Sequence, residues 1–336
     1  MKAVAYFSSL PISQPEALVD VEMDKPVPAG RDLLVKIEAI SVNPVDCKIR
    51  KNVDPQGQAK VLGWDAVGIV ESVGAEVSLF KVGDAVYYAG DITRSGSNAE
   101  YQLIDERIVG FKPNTLTNAE AAALPLTSIT AWEMLFDRLD INKPAHSKPV
   151  LLVVGGSGGV GSILIQLAKH LTQATVIATA SRQESQDWVN QLGADYVVNH
   201  RQPLKAQIDA LGLGEVTHVA CTTHADQHFG TLIEVLKPQG KLGIIEFANS
   251  SVDLNLLKDK SISLHWEFMF TRAKFHTEDM IKQHHLLNRI GALIDEGTIQ
   301  TTLGHHLGRI NATNLRCAHE LSESNKAIGK IVLEGF

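Results

Sequence analysis

Residues 149–171 read PVLLVVGGSGGVGSILIQLAKHL. A short aliphatic run stops at a glycine-rich turn, and an apolar-periodic stretch follows. Gly156-Ser157-Gly158-Gly159-Val160-Gly161 fits G-x-G-x-x-G. That pattern is weak alone, but here it follows a strand and opens a helix, the context it requires. Gly156 permits the tight turn, Gly158 lets the backbone approach a pyrophosphate, and Gly161 lets the helix pack closely on the strand. The helix N-terminus offers free N–H groups and a positive dipole end to phosphates. A phosphate-loop NTPase is disfavoured, because no Lys-Ser or Lys-Thr follows the glycines. The bland alternative is a glycine turn without a ligand.

Outward from this turn the pattern alternates strand and helix. ATVIATA is followed by QESQDWVNQLG, ADYVV by PLKAQIDALG, and THVACTT by a helix through FGTLIEVLK, then KLGIIEF. This rhythm predicts a parallel, doubly wound sheet. The first ~120 residues have another texture. LLVKIEAISV (33–42) and AVGIVESVG (66–74) read as strands, Gly83-Asp84 as a hairpin turn, and the short strands together as a small barrel. NAEAAALPLTSITAWEMLFDRL has helical spacing broken at Pro125. The tail holds helices and a last strand, GKIVLEGF, whose return to the first domain is an expectation that the sequence does not itself prove. The division expected is 1–123 joined by 269–336, and 124–268.

The 336 residues are long for one core. Thirty-one basic against 38 acidic residues give a net charge of -7, and no basic cluster marks a nucleic-acid or membrane face. No apolar run reaches the ~18 residues needed to span a bilayer. The N-terminus turns polar too early for a secretory signal, so the expected location is cytoplasmic. Three scattered cysteines, Cys47, Cys221 and Cys317, supply neither a disulfide framework nor a four-cysteine zinc site.

The strand after the glycine turn selects the dinucleotide. NAD binders place an acid near its end for the ribose 2′-hydroxyl. TVIATASRQ ends in Ser181-Arg182 instead, with no acid before Glu184. An arginine there pairs with a 2′-phosphate, so the expected cofactor is NADP, bound as NADPH. CTTHADQH, with Cys221, Thr222, His224 and His228, has metal-like spacing, but it follows a parallel strand and reads as a cofactor-facing loop.

With these motifs in place the chain resembles the medium-chain dehydrogenase/reductase superfamily over nearly its whole length. The resemblance rests on VGDAV, LPLTSITAWEML, GGSGGVG, LGAD with VVNH, and LKPQGKL. It is closest to the quinone oxidoreductase branch. SISLHWEFMF, QHHLLNRIGALIDEG and GKIVLEGF resemble the zinc-type alcohol dehydrogenase-like subgroup. The fold implied is a GroES-like β-barrel catalytic domain plus a Rossmann domain.

Zinc enzymes of the superfamily ligate the metal with Cys, the His of Gly-His-Glu, and a later Cys. Aligned by motif, those positions fall on Asn43, on Trp64 (with Asp65 in place of Glu), and near Leu126. Trp and Leu do not ligate zinc and Asn is a poor ligand, so no metal is expected there. Trp64 is expected to fill the metal's volume and wall a flat acceptor. Cys47 has no His or Cys near it in the barrel sequence and reads as a buried or pocket thiol.

The resemblance further implies a cleft lined by Asn43 and Thr130 beside the nicotinamide and the substrate oxygen. Asp46 would order that loop or cap a turn. Lys48 stands where quinone reductases often carry tyrosine, either as an electrophile or solvated. Phe247 would pack near the nicotinamide and His200 near the 2′-phosphate. Lys330 would be a cofactor contact, though from the residues alone it reads as a surface lysine. Without a metal, simple alcohol oxidation is hard, whereas a quinone or α,β-unsaturated carbonyl delocalises incoming charge itself. A quinone or enone reductase is therefore the leading expectation. A zinc alcohol dehydrogenase and a non-catalytic NADPH-binding protein are the alternatives. The stretch around SISLHWEF is expected to pair two copies into a homodimer.

Overall fold

A computed structural model describes residues 1–143, 148–247 and 251–336. The chain divides into two compact units, Met1–Ile129 with Phe270–Phe336, and Thr130–Met269.

The first segment carries β1 (Lys2–Tyr6), β2 (Val19–Glu22), β3 (Asp32–Val42), β4 (Lys60–Val61), β5 (Asp65–Val73), β6 (Ala85–Tyr88), β7 (Tyr101–Asp105) and β8 (Val109–Phe111). Its helices are α1 (Pro44–Asn52) and α2 (Asn118–Ala122), and α3 follows at Pro125–Trp132. The Pro125 break falls between α2 and α3, because proline cannot supply the N–H a continuing helix needs. A π-helical turn, Glu133–Arg138, comes next. The second unit holds β9 (Val150–Val154), α4 (Gly159–Leu171), β10 (Thr175–Thr179), α5 (Gln183–Gln191), β11 (Tyr196–Val198) and α6 (Leu204–Ala210). It continues with β12 (Val216–Cys221), α7 (Ala225–Val235), β13 (Leu236–Ile244) and β14 (Ser263–Trp266). The tail of the first unit adds α8 (Thr271–Phe275), α9 (Lys282–Asp295), β15 (Leu303–His306), α10 (Ala312–Glu323) and β16 (Lys330–Glu334).

The first unit is built on a sheet of order β15-β16-β3-β5-β6-β8, with β7 also pairing β3, and a smaller sheet β2-β1-β4. Register matters more here than strand count. β3 runs antiparallel to β5 with Ser41 opposite Asp65, and antiparallel to β16 with Val42 opposite Ile331. One residue beyond those pairs lie Asn43 and Lys330. Three positions far apart in sequence are thereby brought to one end of the sheet. The last strand does return to the first unit.

Gly83-Asp84 does not turn a hairpin. Asp84 accepts from the Lys81 N–H at 2.9 Å, which makes a local turn leading into β6 at the end of the Gly74–Asp84 connection.

In the second unit the parallel sheet has order β11-β10-β9-β12-β13-β14. β9 is wholly buried, which explains its unbroken apolar run. Chain order reverses between β9 and β12, and the loops after both strands open at the carboxyl edge, where such sheets bind ligands.

One buried acidic pair lies in this unit. Glu133 and Glu267 are fully enclosed, and Arg138 donates to Glu267 at 2.8 Å. Burial, and then the neighbouring Glu133, push the Glu267 carboxyl up to about 9, so the pair keeps a proton at neutral pH. The unfolded chain loses that proton near the ordinary glutamate value of about 4.3. Between these limits the folded state binds more protons, so this site's contribution to stability falls as pH rises from about 5 to about 9. Glu267→Gln keeps an acceptor for Arg138 and a donor for Glu133 without a titrating proton. Calorimetry across that range should show its Tm declining less steeply than the parent's.

Candidate functional site

The end of β3 leads through Asn43, the N-cap residue, into α1. Asp46 caps that helix, accepting from the Asn43 N–H at 2.8 Å through Oδ2. Its other oxygen is buried without a partner, and burial pushes the carboxyl up to about 7, opposed by the Asn43 N–H and by Lys330. Of the two roles expected for Asp46, the cap is the one its geometry displays.

Around Asn43 lies a closed polar network. Asp65 Oδ2 accepts from Asn43 Nδ2 at 2.8 Å, from Ser41 Oγ at 3.1 Å and from Lys330 Nζ at 3.0 Å. Asp65 Oδ1 accepts from the Leu126 backbone N–H at 2.7 Å. Lys330 also donates to Asn43 Oδ1 and, at 3.2 Å, to the Val42 carbonyl. Asp65, Asn43 and Lys330 are all buried. An ammonium has three protons, and all three are spent inside this unit. Lys330 is therefore not a surface lysine, and in this arrangement it has no proton left for a phosphate.

The donor set decides whether zinc fits at Asn43, Trp64 and Leu126. The Asn43 amide is committed on both sides, to Asp65 and to Lys330. Leu126 contributes only a backbone N–H, and Trp64 carries no zinc-ligating atom. The Lys330 ammonium already takes the Asn43 and Asp65 oxygens that a metal cation would need. These residues do not fit a zinc site.

Trp64 follows Gly63 into β5. Its indole N–H donates to the Asp91 carbonyl at 3.2 Å, and its ring meets Phe270 edge-on at 6.0 Å. At 1% exposure it fills volume and offers almost no wall to an acceptor. Lys48 is exposed on α1, yet enough protein surrounds its ammonium to hold its pKa below the ordinary lysine value.

The second unit presents the glycine turn. Positive φ falls at Gly155 (+83°), one residue before the fingerprint, rather than at Gly156. A side chain at Gly155 would also meet Thr222 Oγ1 at 2.6 Å. Thr222 closes the neighbouring loop, donating to the Val154 carbonyl at 2.8 Å. Gly161 has the expected packing role, since a Cβ there would lie 2.3 Å from the Gly155 carbonyl. α4 begins after Gly158, leaving the first-turn N–H groups of Gly159, Val160 and Gly161 without helical acceptors. Ser157, between the glycines, is part-buried in the turn itself. Ser162 locks the turn by donating to the Gly158 carbonyl and accepting from Trp188.

Ser181 and Arg182 are part-buried after β10, and Arg182 is the N-cap residue of α5. His200 meets His228 edge-on at 6.3 Å beside a cavity of about 160 Å³ that both line. Burial, then His228, hold the His200 pKa below the ordinary value. Cys221 is fully buried and its thiol contacts the Thr223 carbonyl, so the Cys221, His224 and His228 spacing does not make one ligand cluster. Phe247 meets Phe229 at 5.7 Å and Trp266 at 5.2 Å, both edge-on. Thr130 is buried at the start of this unit.

The structure thus gathers Asn43, Asp46 and Lys330 around Asp65, and gathers the glycines with Thr222. Sequence reasoning missed Ser41 and the Leu126 N–H as partners of Asp65; only strand register reveals them.

Comparison with known proteins agrees with this architecture. Residues 29–125 match the alcohol dehydrogenase GroES-like domain, and residues 192–333 the zinc-binding dehydrogenase family. A zinc-type alcohol dehydrogenase-like protein of Staphylococcus epidermidis is 41% identical over 335 residues, 99% of either chain. The chain belongs to the medium-chain dehydrogenase/reductase superfamily. It is an oxidoreductase of that superfamily, and its second unit has the superfamily's Rossmann-type parallel sheet. A solved structure from Rhizobium etli CFN 42, with a provisional zinc-dependent alcohol dehydrogenase label, is 53% identical with a TM-score of 0.98, covering 100% of this chain and 98% of that one. A mycobacterial relative solved with NADPH is 27% identical with a TM-score of 0.83, over 99% of this chain and 100% of its own. A 2-methylene-furan-3-one reductase of Solanum lycopersicum is 37% identical over 241 residues, 64% of this chain and 58% of its own. Among the described residues no helix is long and apolar enough to cross a membrane.

Removing one partner of a buried ion pair leaves the other uncompensated. Lys330→Met should therefore cost about 3–5 kcal/mol in urea unfolding. Lys48→Met, on the exposed face of α1, should stay within about 0.5 kcal/mol of the parent.

Proposed function

We propose that this oxidoreductase uses NADPH to reduce a quinone or α,β-unsaturated carbonyl compound, without zinc. The observation that carries the reading is the donor set at the superfamily's metal position. Asn43 is spent on Asp65 and Lys330, and Trp64 and Leu126 offer no ligand. With no Lewis acid to stabilise an alkoxide, the acceptor must take up charge by itself, and a conjugated carbonyl does so. The similarity to the 2-methylene-furan-3-one reductase of Solanum lycopersicum supports the same choice.

NADPH supplies the hydride when bound. On this reading the chain's own task is to hold and orient it. The N–H groups at the start of α4 and the glycine backbone take the pyrophosphate. Arg182 takes the 2′-phosphate through its planar fork, helped by Ser181, with His200 on the adenosine side. That a mycobacterial relative was solved with NADPH supports the choice of cofactor. Asn43 shapes its site rather than donating to the acceptor, since its amide is already engaged. Thr130 and Phe247 keep the nicotinamide-side roles that the resemblance gives them; Lys48, standing where the resembled reductases often carry tyrosine, serves as an electrophile on this reading, and Lys48→Met should lower turnover while leaving the fold intact.

The deciding measurements are direct. Fluorescence titration should give at least about tenfold tighter binding of NADPH than NADH, about 1.4 kcal/mol, and Arg182→Ala should close most of that gap. Equal affinities in the parent protein would refute the cofactor assignment. An NADPH-oxidation screen over quinones, enones and aldehydes should find turnover with the first two that survives exhaustive chelation. No turnover with any acceptor would leave a non-catalytic NADPH-binding protein, and loss on chelation would restore a metal enzyme.

The quaternary expectation is a homodimer through β14. That strand is the sheet's edge, and Trp266 and Phe268 beside it are exposed. Light scattering should return twice the 36.5 kDa chain mass, and a monomer would rule the pairing out.

A further inference from the structure

α1 and α10 meet in the first unit. Cys47, fourth residue of α1, is buried there against the backbone of α10, its thiol 3.7 Å from the His319 carbonyl. His319 and Glu323 lie four residues apart on α10 and so share one face. One ligand atom from each of Cys47, His319 and Glu323 falls within 4.8 Å of the others. Cys47 therefore does have a histidine partner, 272 residues away in sequence.

The imidazole of His319 is the telling group. It is fully buried, and neither ring nitrogen has a hydrogen-bond partner. Buried polar groups are almost always satisfied, so a ring with two orphan nitrogens beside a thiol and a carboxylate calls for a ligand. We propose that Cys47, His319 and Glu323 form a site for one thiophilic divalent cation of the zinc class, bridging α1 and α10 and separate from the superfamily's metal position.

The chemistry is consistent. A thiolate, a neutral imidazole and a carboxylate balance a dication, and sulfur with imidazole selects zinc-like ions over magnesium or calcium. Tetrahedral zinc, with bonds of about 2.0–2.3 Å, holds its ligands about 3.3–3.7 Å apart, so closure needs side-chain movements of about an ångström. The thiol proton leaves to solvent on binding, and water completes the fourth position. Two cations already face Glu323. Arg50 holds Oε1, while Lys51 holds Oε2 at 2.9 Å and is itself half-exposed. The metal displaces Lys51 from Oε2, and Arg50 keeps the carboxylate oriented. These two positive charges lower the affinity, so the site fills on exposure to metal rather than holding an ion through purification.

Cobalt(II) is the probe. In a Cys221→Ser/Cys317→Ser background Cys47 is the remaining thiol. Titration should then give one Co²⁺ per chain with a thiolate-to-cobalt charge-transfer absorption, bleached by zinc. Cys47→Ser should abolish that absorption, and His319→Gln should weaken binding at least about tenfold. Glu323→Gln, on the rim of the site, should keep the absorption but bind more weakly, and near-ultraviolet circular dichroism checks each fold. Absence of the charge-transfer band, or a band of unchanged affinity in His319→Gln and Glu323→Gln, would overturn the proposal. The readout is absorbance, not turnover, so this site and the NADPH-reductase reading can fail independently.

Discussion

A lysine ammonium and an aspartate carboxylate, buried together at the end of β3, set the terms for the first unit. Burying two charges costs several kcal/mol each, and their attraction offsets this only when the remaining donors and acceptors are also satisfied. Here they are. Val42 and Asn43 take the other two ammonium protons, and Ser41, Asn43 and the Leu126 N–H fill the carboxylate. Each partner sits where it does because of register: Ser41 opposite Asp65, Ile331 opposite Val42. A slip of one residue in either pairing would turn the partners to the wrong face. The sheet's alignment and its polar centre therefore specify each other.

This arrangement also changes what chemistry is open to the unit. A zinc ion offers an empty orbital and an exchangeable position, whereas an ammonium with three fixed bonds offers a charge and nothing more. The second unit makes the opposite choice. Its glycine turn leaves backbone N–H groups at the head of α4 uncommitted, poised for an anion that is not part of the protein. One unit has spent its polar groups on itself and the other keeps them in reserve. That contrast suits the metal-free reduction proposed above, in which the cofactor would carry the reactivity and the acceptor the charge.

Much of this was readable in advance where the information is local. The strand-turn-helix around Gly156–Gly161, the Pro125 break and the alternation after residue 149 all depend on neighbours within a few residues. Positive φ at Gly155 rather than Gly156 was not readable, because two adjacent glycines look alike until the turn is built. The absence of zinc ligands could be read from Trp64 and Leu126, but what stands in their place could not. Lys330 looked like a surface lysine because nothing near it in sequence says which strand β16 will join. His319 was invisible for the same reason: it meets Cys47 only through the packing of α10 on α1. Contacts across hundreds of residues leave no periodic trace.

The distance between Lys330 and its partners has a further meaning on the ribosome. Asn43 and Asp65 emerge before the ammonium they need, which lies 287 residues beyond Asn43. Thr130–Met269 is continuous in sequence and is complete well before that. Domains fold as units during synthesis, so the second unit can close while the first is still waiting for its last strand. Until β16 arrives, Asp65 is an acid without its base at the edge of an unfinished sheet, and a chain stopped between residues 269 and 330 stays in that state. The middle of the chain holds everything the second unit needs, while the first unit is complete only when the segments on either side of it meet.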